Sequence, residues 1–284
     1  MELRGTVAVI TGGASGIGWG LAEKCAAEGM KVVIADIEEA ALERAEKTLK
    51  GGGAEVLAVR TDVSKLKDVE TLAQKALGAY GGVHLLFNNA GVQTSKSLAG
   101  PVWENTIADW EWMIGVNLMG VVHGVKVFMP IMEEQKTECH IVNTSSMGGL
   151  LAEPQLVIYS AVKAAVIKLS EGMYLQLKEK KSPIGVSVLL PAFVATRFGE
   201  AERNRPREYQ NPTENQKAEI KPSVVGQFNK SVPRLTPEQN AEIVFKAIRG
   251  GVFYIFTDQL VQELFRQRAE NILHGRNPDM PRLG

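Results

Sequence analysis

The chain has 284 residues, 45% apolar and 23% charged, enough for one large core or two small ones. Its 32 basic and 32 acidic residues cancel, and no lysine or arginine run forms a patch, which argues against a nucleic-acid partner. Only two cysteines occur, Cys25 and Cys139, both in apolar surroundings; that fits a reducing compartment and not a disulfide framework.

No cationic-then-apolar leader is seen at Met1-Glu-Leu-Arg, so the cytoplasm is the expected location. Residues 6–10 form a short β-branched strand, and Thr11-Gly-Gly-Ala-Ser-Gly-Ile-Gly18 follows at once. A helix over 17–29 comes next, then a strand over 31–35 ending in Asp36. Strand, glycine loop, helix, strand and acid make the first half of a dinucleotide-binding unit. Gly12, Gly16 and Gly18 let the backbone turn tightly and approach a pyrophosphate at the helix N-terminus. Asp36 lies twenty residues beyond Gly16, where a carboxylate accepts both hydroxyls of an adenosine ribose and repels a 2′-phosphate. Ile37, Glu38 and Glu39 follow, with no arginine close by in sequence to take that phosphate. NAD rather than NADP is the expected cofactor.

A charged helix over 38–50 is closed by Gly51-Gly-Gly53, a third strand spans 55–59, and Thr61-Asp62-Val63 ends it. A helix over 65–80 and a strand over 83–87 lead into Asn88-Asn89-Ala90-Gly91, a second loop at a strand's carboxyl end. Residues 110–132 form one long apolar helix, and Asn117, His123 and Lys126 within it favour a buried helix over a membrane span. A buried asparagine must be hydrogen-bonded; Asn117 either serves neighbouring backbone or holds a water that relays protons.

The strand over 140–144 stops at Ser145-Ser146, and a helix over 156–180 follows. Tyr159 and Lys163 share one face of that helix, one turn apart, and Ser146 sits at the sheet edge where open α/β folds place ligands. Free tyrosine titrates near ~10, and a neighbouring cation lowers that value. With Lys163 as that cation, Tyr159 could accept the proton of an alcohol or donate one to a ketone, while Ser146 hydrogen-bonds the substrate oxygen. Taken singly, each of these motifs is common in structural roles; their conjunction carries the reading.

A sixth strand over 185–190 ends at Pro191-Ala192. Residues 192–232 then break the alternation and read as a partly helical substrate lid whose charged residues are solvated surface. Thr236-Pro-Glu-Gln239 starts a helix running to residue 249, followed by a strand over 252–256, a helix over 258–273 and a loosely ordered tail over 275–284. The expected fold is a single-domain Rossmann-type α/β chain, a doubly wound parallel sheet of about seven strands with helices on both faces.

Thr11-Gly12-x-x-x-Gly16-x-Gly18, Asn89-Ala90-Gly91, Asn117, Ser146 and Tyr159-x-x-x-Lys163, with the tyrosine thirteen positions after the serine, resemble the short-chain dehydrogenase/reductase family over residues 3–256. The resemblance implies an NAD(P)-dependent oxidoreductase with a catalytic tetrad of Asn117, Ser146, Tyr159 and Lys163. It also implies that Lys163 holds the nicotinamide ribose and that Asn117 orders a relay water. Further cofactor contacts are implied at Ser15, Ile17, Ile37, Asp62, Val63, Asn89, Ala90, Gly91 and Pro191, with Val194 and Thr196 at the carboxamide. Pro191-Ala192 departs from the family's usual Pro-Gly, and the added methyl narrows the space there. Family members are often homotetramers or homodimers. A weaker likeness, carried by Trp112-Met-Ile-Gly-Val-Asn-Leu and Glu200-Ala-Glu-Arg-Asn-Arg-Pro, is to bacterial members that oxidise bulky aryl or alicyclic secondary alcohols, lignin-type benzylic alcohols included. Gln93, Met147, Leu156 and Phe193 would line such a pocket, or simply pack as core. A hydroxysteroid-type dehydrogenase is the alternative within enzymes, and a catalytically idle NAD-binding regulator the alternative of another class.

Overall fold

The computed structural model describes residues 2–94, 101–211 and 234–279. Seven strands, all paired in parallel, lie in the order β3-β2-β1-β4-β5-β6-β7. They are β1 (Val7–Thr11), β2 (Lys31–Asp36), β3 (Val56–Arg60), β4 (Leu85–Asn88), β5 (Cys139–Thr144), β6 (Ile184–Leu190) and β7 (Tyr254–Phe256). The strands β1, β4 and β5 are buried along their whole length. That is why they read as mainly apolar or β-branched runs, with Asn88, His140 and Asn143 as buried polar exceptions: a parallel sheet covered on both faces has no solvent side to make polar.

Eight α-helices cover the sheet among the described residues. They are α1 (Gly16–Ala27), α2 (Glu39–Gly51), α3 (Leu66–Tyr80), α4 (Ile107–Ile114), α5 (Gly120–Gln135), α6 (Val157–Glu179), α7 (Pro237–Arg249) and α8 (Gln259–Leu273). On one face Leu21 and Cys25 of α1, Leu42 and Leu49 of α2 and Phe245 of α7 pack on Ile10, Ile34 and Phe87. On the other, Leu72 of α3, Phe128 and Met132 of α5 and Leu177 of α6 pack on Val9, Val33, Leu86 and Ile141. The helices α1 and α7 touch closely because Gly20 has no side chain; a Cβ there would come within 2.4 Å of the Pro237 carbonyl oxygen.

The expected doubly wound sheet is present, with several changes of boundary. The predicted helix over 110–132 starts earlier, at Ile107, and is not one continuous α-helix: Gly115–Met119 forms a π-helical turn between α4 and α5. Its start is fixed by a capping box in which Asp109 N–H donates to Thr106 Oγ1 (3.2 Å) and Thr106 N–H to Asp109 Oδ2 (2.9 Å). The segment Ile107–Gln135 is long and apolar enough to cross a membrane, but its α5 part lays Phe128 and Met132 into the core. The last strand is shorter than expected, three residues from Tyr254.

Of the predicted lid, residues 192–211 are described and carry two 3₁₀ turns, Phe198–Asn204 and Arg207–Tyr209; the rest of the range lies outside the described residues. The reading of its charges as solvated surface is overturned at Arg205, which is buried. In the tail, residues 276–279 have no regular structure and 280–284 lie outside the described set. The Thr236–Gln239 capping box, with Pro237 in the first turn, is formed as its sequence predicts.

Candidate active site

Chain order reverses across the sheet between β1 and β4, so the loops after these two strands stand side by side at their carboxyl ends, the place where such sheets bind ligands. The two loops are stitched together. The Thr11 hydroxyl accepts the N–H groups of Asn89 (2.9 Å) and Ala90 (3.1 Å), while Asn89 Nδ2 donates to the Thr11 carbonyl (3.1 Å). Gly12 and Gly16 have φ of +64° and +54°, in the left-handed region open to glycine. A Cβ on Gly12 would lie 2.9 Å from Ala90 Cα, and one on Gly18 would lie 2.0 Å from the Gly12 carbonyl oxygen. Gly18 is thus a packing requirement of the loop, and it does not line the cavity beside it as expected.

At the end of β2 the Asp36 carboxylate is buried and held by two backbone donors, Ala14 N–H on Oδ2 and Glu38 N–H on Oδ1, both at 3.1 Å. Burial pushes its pKa up, and those N–H groups pull it partly back. Asp62, after β3, takes the Ser64 hydroxyl (2.6 Å) and backbone N–H (3.1 Å) on Oδ1.

The three groups of the Ser–Tyr–Lys pattern do meet. Ser146 lies just beyond β5 and receives the Gly148 N–H (3.1 Å) on its hydroxyl, which also hydrogen-bonds the Tyr159 phenol. Lys163 Nζ lies 5.7 Å from the centre of the Tyr159 ring and donates to the Thr144 carbonyl (2.8 Å). The Ser145 hydroxyl donates to the Lys163 carbonyl (2.7 Å), and the chain Asn88–Asn143–Ser170 ties α6 to the sheet through hydrogen bonds of 2.9 and 3.0 Å. The Tyr–Lys turn is therefore fixed on both sides. Asn117 is fully buried in the π-helical turn, and its side chain is spent on Val92, donating to the carbonyl and accepting from the N–H, both at 2.9 Å. Of the two readings open for Asn117, the structure shows the backbone-serving one, and the residue does not line the cavity.

The electrostatics run opposite to expectation. Burial pushes the Tyr159 phenol up to about 12, with the Ser146 hydrogen bond pulling it partly down. Burial also brings the Lys163 amine down to about 7. The ammonium points at the Thr144 carbonyl and lies over the ring, so its pull on the phenolic oxygen does not offset the loss of water around both groups.

One cavity of about 490 Å³, within the usual range for ligand sites, joins these parts. Ser15, Ile17, Asp36, Ile37, Asp62 and Val63 line it, with Gly12 and Gly16 at the turn after β1. Asn89, Ala90, Gly91, Pro191, Val194 and Thr196 line the middle. Gln93, Met147, Leu156 and Phe193 line the same cavity as Ser146, Tyr159 and Lys163, and Leu156 packs in one cluster with Tyr159. Sequence reasoning placed Arg203 and Asn204 in a motif but not at the site. Arg203 Nη2 donates to Glu38 Oε1 (2.5 Å), and Asn204 Nδ2 donates to the same oxygen (2.9 Å). An arginine is therefore close to Asp36 in space although none follows it in sequence; the only hint was a second acid, Glu38, two residues on. Trp112, placed in a motif but not in the pocket, also lines the cavity and forms a wall with Val92, Ala201 and Tyr209.

A family model described as short chain dehydrogenase matches residues 6–207. A CLA biosynthesis dehydrogenase/reductase of Lactiplantibacillus plantarum is 34% identical over 286 aligned positions, covering 98% of this chain and 97% of that protein. A C alpha-dehydrogenase of Sphingobium sp. is 35% identical, covering 98% of this chain and 88% of its own length. A crystal structure of a short chain dehydrogenase/reductase from Burkholderia phymatum in complex with NAD superposes with a TM-score of 0.93, at 45% identity and full coverage of both chains. Together with the seven-stranded parallel sheet and the paired loops at its edge, these likenesses place the chain in the short-chain dehydrogenase/reductase family of oxidoreductases.

Proposed function

We propose that this protein interconverts a secondary alcohol and its ketone with NAD as hydride carrier, acting on a bulky aryl or alicyclic substrate. The observation that carries the reading is the convergence of the Ser146 hydroxyl, the Tyr159 phenol and the Lys163 amine on one wall of the cavity that also exposes Asp36.

The residues present fit a dinucleotide. Gly12 and Gly16 leave a cradle that side chains would fill: a Cβ on Gly16 would sit 3.0 Å from Thr196 Cγ2. Asp36 offers its free lone pairs to a ribose diol. When bound, NAD supplies the acceptor or donor of hydride.

The chain's own groups handle orientation and the proton. Ser146 holds the substrate oxygen by a hydrogen bond. Tyr159, protonated at neutral pH, donates its phenolic proton to the oxygen of a ketone, and the reverse direction returns that proton from the alcohol to the phenolate. Lys163 supplies positive charge beside that phenolate as it forms. Asn117 holds Val92, and with it the loop carrying Gly91, against the π-helical turn. A Cβ on Gly91 would lie 2.9 Å from Asn117 Oδ1, so this loop and Asn117 fit closely. The relay-water role expected of Asn117 would then fall to backbone atoms of the π-helical turn and not to its amide.

The activities for which the two relatives are named, a dehydrogenase/reductase and a C alpha-dehydrogenase, support alcohol–ketone chemistry, and the NAD in the Burkholderia phymatum structure supports the cofactor. The apolar lining at Met147, Leu156, Phe193 and Trp112 supports a bulky substrate. Trp103 and Ile107, large and exposed, support assembly into a dimer or tetramer.

Tyr159→Phe should lower turnover by about 10²–10⁴-fold while NADH still binds, read by coenzyme absorbance and by fluorescence titration. Turnover near the wild-type rate would end the proposal.

A further inference from the structure

We propose that Glu38 and Arg203 form a second coenzyme-selecting element, in which Glu38 keeps an arginine of the post-β6 segment from accepting a 2′-phosphate. The inference rests on the NAD reading above and deepens it.

Three side chains form a continuous run along the adenosine end of the cavity. The Glu38 N–H anchors Asp36 Oδ1 at 3.1 Å, and the Glu38 carboxylate in turn takes Arg203 Nη2 at 2.5 Å. All three residues line the cavity. The ion pair is partly sheltered, with side-chain exposures of 27% for Arg203 and 25% for Glu38. Arg203 does not depend on Glu38 for its position. Its Nη1 donates to the carbonyls of Glu200 (2.9 Å) and Arg197 (3.3 Å), so the guanidinium stays at this corner when the acid is removed.

A guanidinium fork matches a phosphate in geometry and charge. Among these three side chains two carboxylates stand against one cation, a net of one negative charge toward an incoming dianion; Arg197, which also lines the cavity, is paired with Glu200 at 2.8 Å. Removing Asp36 leaves a neutral Glu38–Arg203 pair, which neither repels nor captures the phosphate. Removing both acids leaves Arg203 as a bare cation facing the ribose.

The test is a series of variants whose Kd values for NADH and NADPH are read by fluorescence titration. The ratio of the two on one protein cancels any general loosening of the fold. Asp36→Ala should shift the ratio toward NADPH by about tenfold, one charge repulsion removed. Adding Glu38→Gln should give a further shift of about tenfold, and adding Arg203→Met to that double variant should return the ratio to the value of Asp36→Ala alone. If Asp36→Ala leaves the ratio unchanged, the NAD reading itself fails. If Asp36→Ala shifts it but Glu38→Gln adds nothing, or Arg203→Met removes nothing, the Glu38–Arg203 inference is overturned and the NAD reading stands.

Discussion

Lys163 is a fully enclosed amine with one carbonyl partner, and its ionisation is set by burial more than by any anion. Its folded pKa of about 7 lies far below the unfolded value of ~10.4, so between those limits the unfolded chain binds more protons. Stability of the coenzyme-free enzyme therefore rises with pH through this window, by an amount on the order of 4 kcal/mol at full span. Lys163→Met lacks the titrating group. The wild-type minus variant difference in unfolding free energy should climb from pH 7 to 10 and stay flat below 7; a difference that is level throughout would contradict the assignment. The same residue marks a limit of sequence. The spacing of Tyr159 and Lys163 gives their proximity, but a four-residue interval carries no information on how much water surrounds them. That missing quantity sets the sign of both pKa shifts.

At the scale of elements, β5 carries a second buried titrating group, His140, which links three strands through its side chain. Its Nε2 lies 2.8 Å from Ser187 Oγ on β6, and that hydroxyl donates to the Val252 carbonyl just before β7 (2.7 Å). Ser187 thus accepts from Nε2–H, which fixes the neutral tautomer. Gly185 makes room, since a Cβ there would sit 2.4 Å from His140 Nδ1. Burial pushes the His140 pKa down to about 4, below the unfolded ~6.5, so stability is lost as pH falls from about 6.5 toward 4. Between pH 7 and 5 the wild type should lose about 2 kcal/mol more than His140→Gln in urea unfolding, and equal losses would refute the linkage. The strand itself was plain in sequence from Ile141-Val142 leading to the β-branched Thr144, although His140 and Asn143 interrupt the apolar run. The π-helical turn at Gly115–Met119 was not: over five residues an apolar pattern cannot distinguish a helix bonded four residues apart from one bonded five.

At the scale of the whole molecule, what escaped sequence reasoning is what joins distant parts of the chain. Glu38 with Arg203, and Asp109 with Arg205, are pairs across long separations that leave no period to read. The second pair fixes the Trp112 wall of the cavity. Arg205 Nη2 lies 2.7 Å from Asp109 Oδ1, with side-chain exposures of 4% and 1%, and the guanidinium stacks 5.2 Å from the centre of the Trp112 ring. Arg205 also donates from Nε to the Tyr209 carbonyl (2.7 Å), and Asn211 Nδ2 donates to Asp109 Oδ1 (2.9 Å). The first part of the segment expected to act as a lid is thus moored to α4 by a desolvated network, and Trp112 and Ala201 keep their places in the cavity through it. Removing one partner of a buried pair leaves the other charge stranded, at a cost of ~3–5 kcal/mol. Arg205→Met should accordingly lower the unfolding midpoint by roughly 10 °C. It should also raise KM for a bulky alcohol, since the Trp112 wall loses the guanidinium that stacks on it. Adding Asp109→Asn to Arg205→Met should recover part of the stability, because the neutral amide carries no stranded charge and can still accept the Thr106 N–H of the capping box, while the KM defect persists for want of the mooring. Were Arg205→Met to leave both the midpoint and the KM untouched, the segment would be resting on α4 without being held there, and the Trp112 wall would owe its shape to something else.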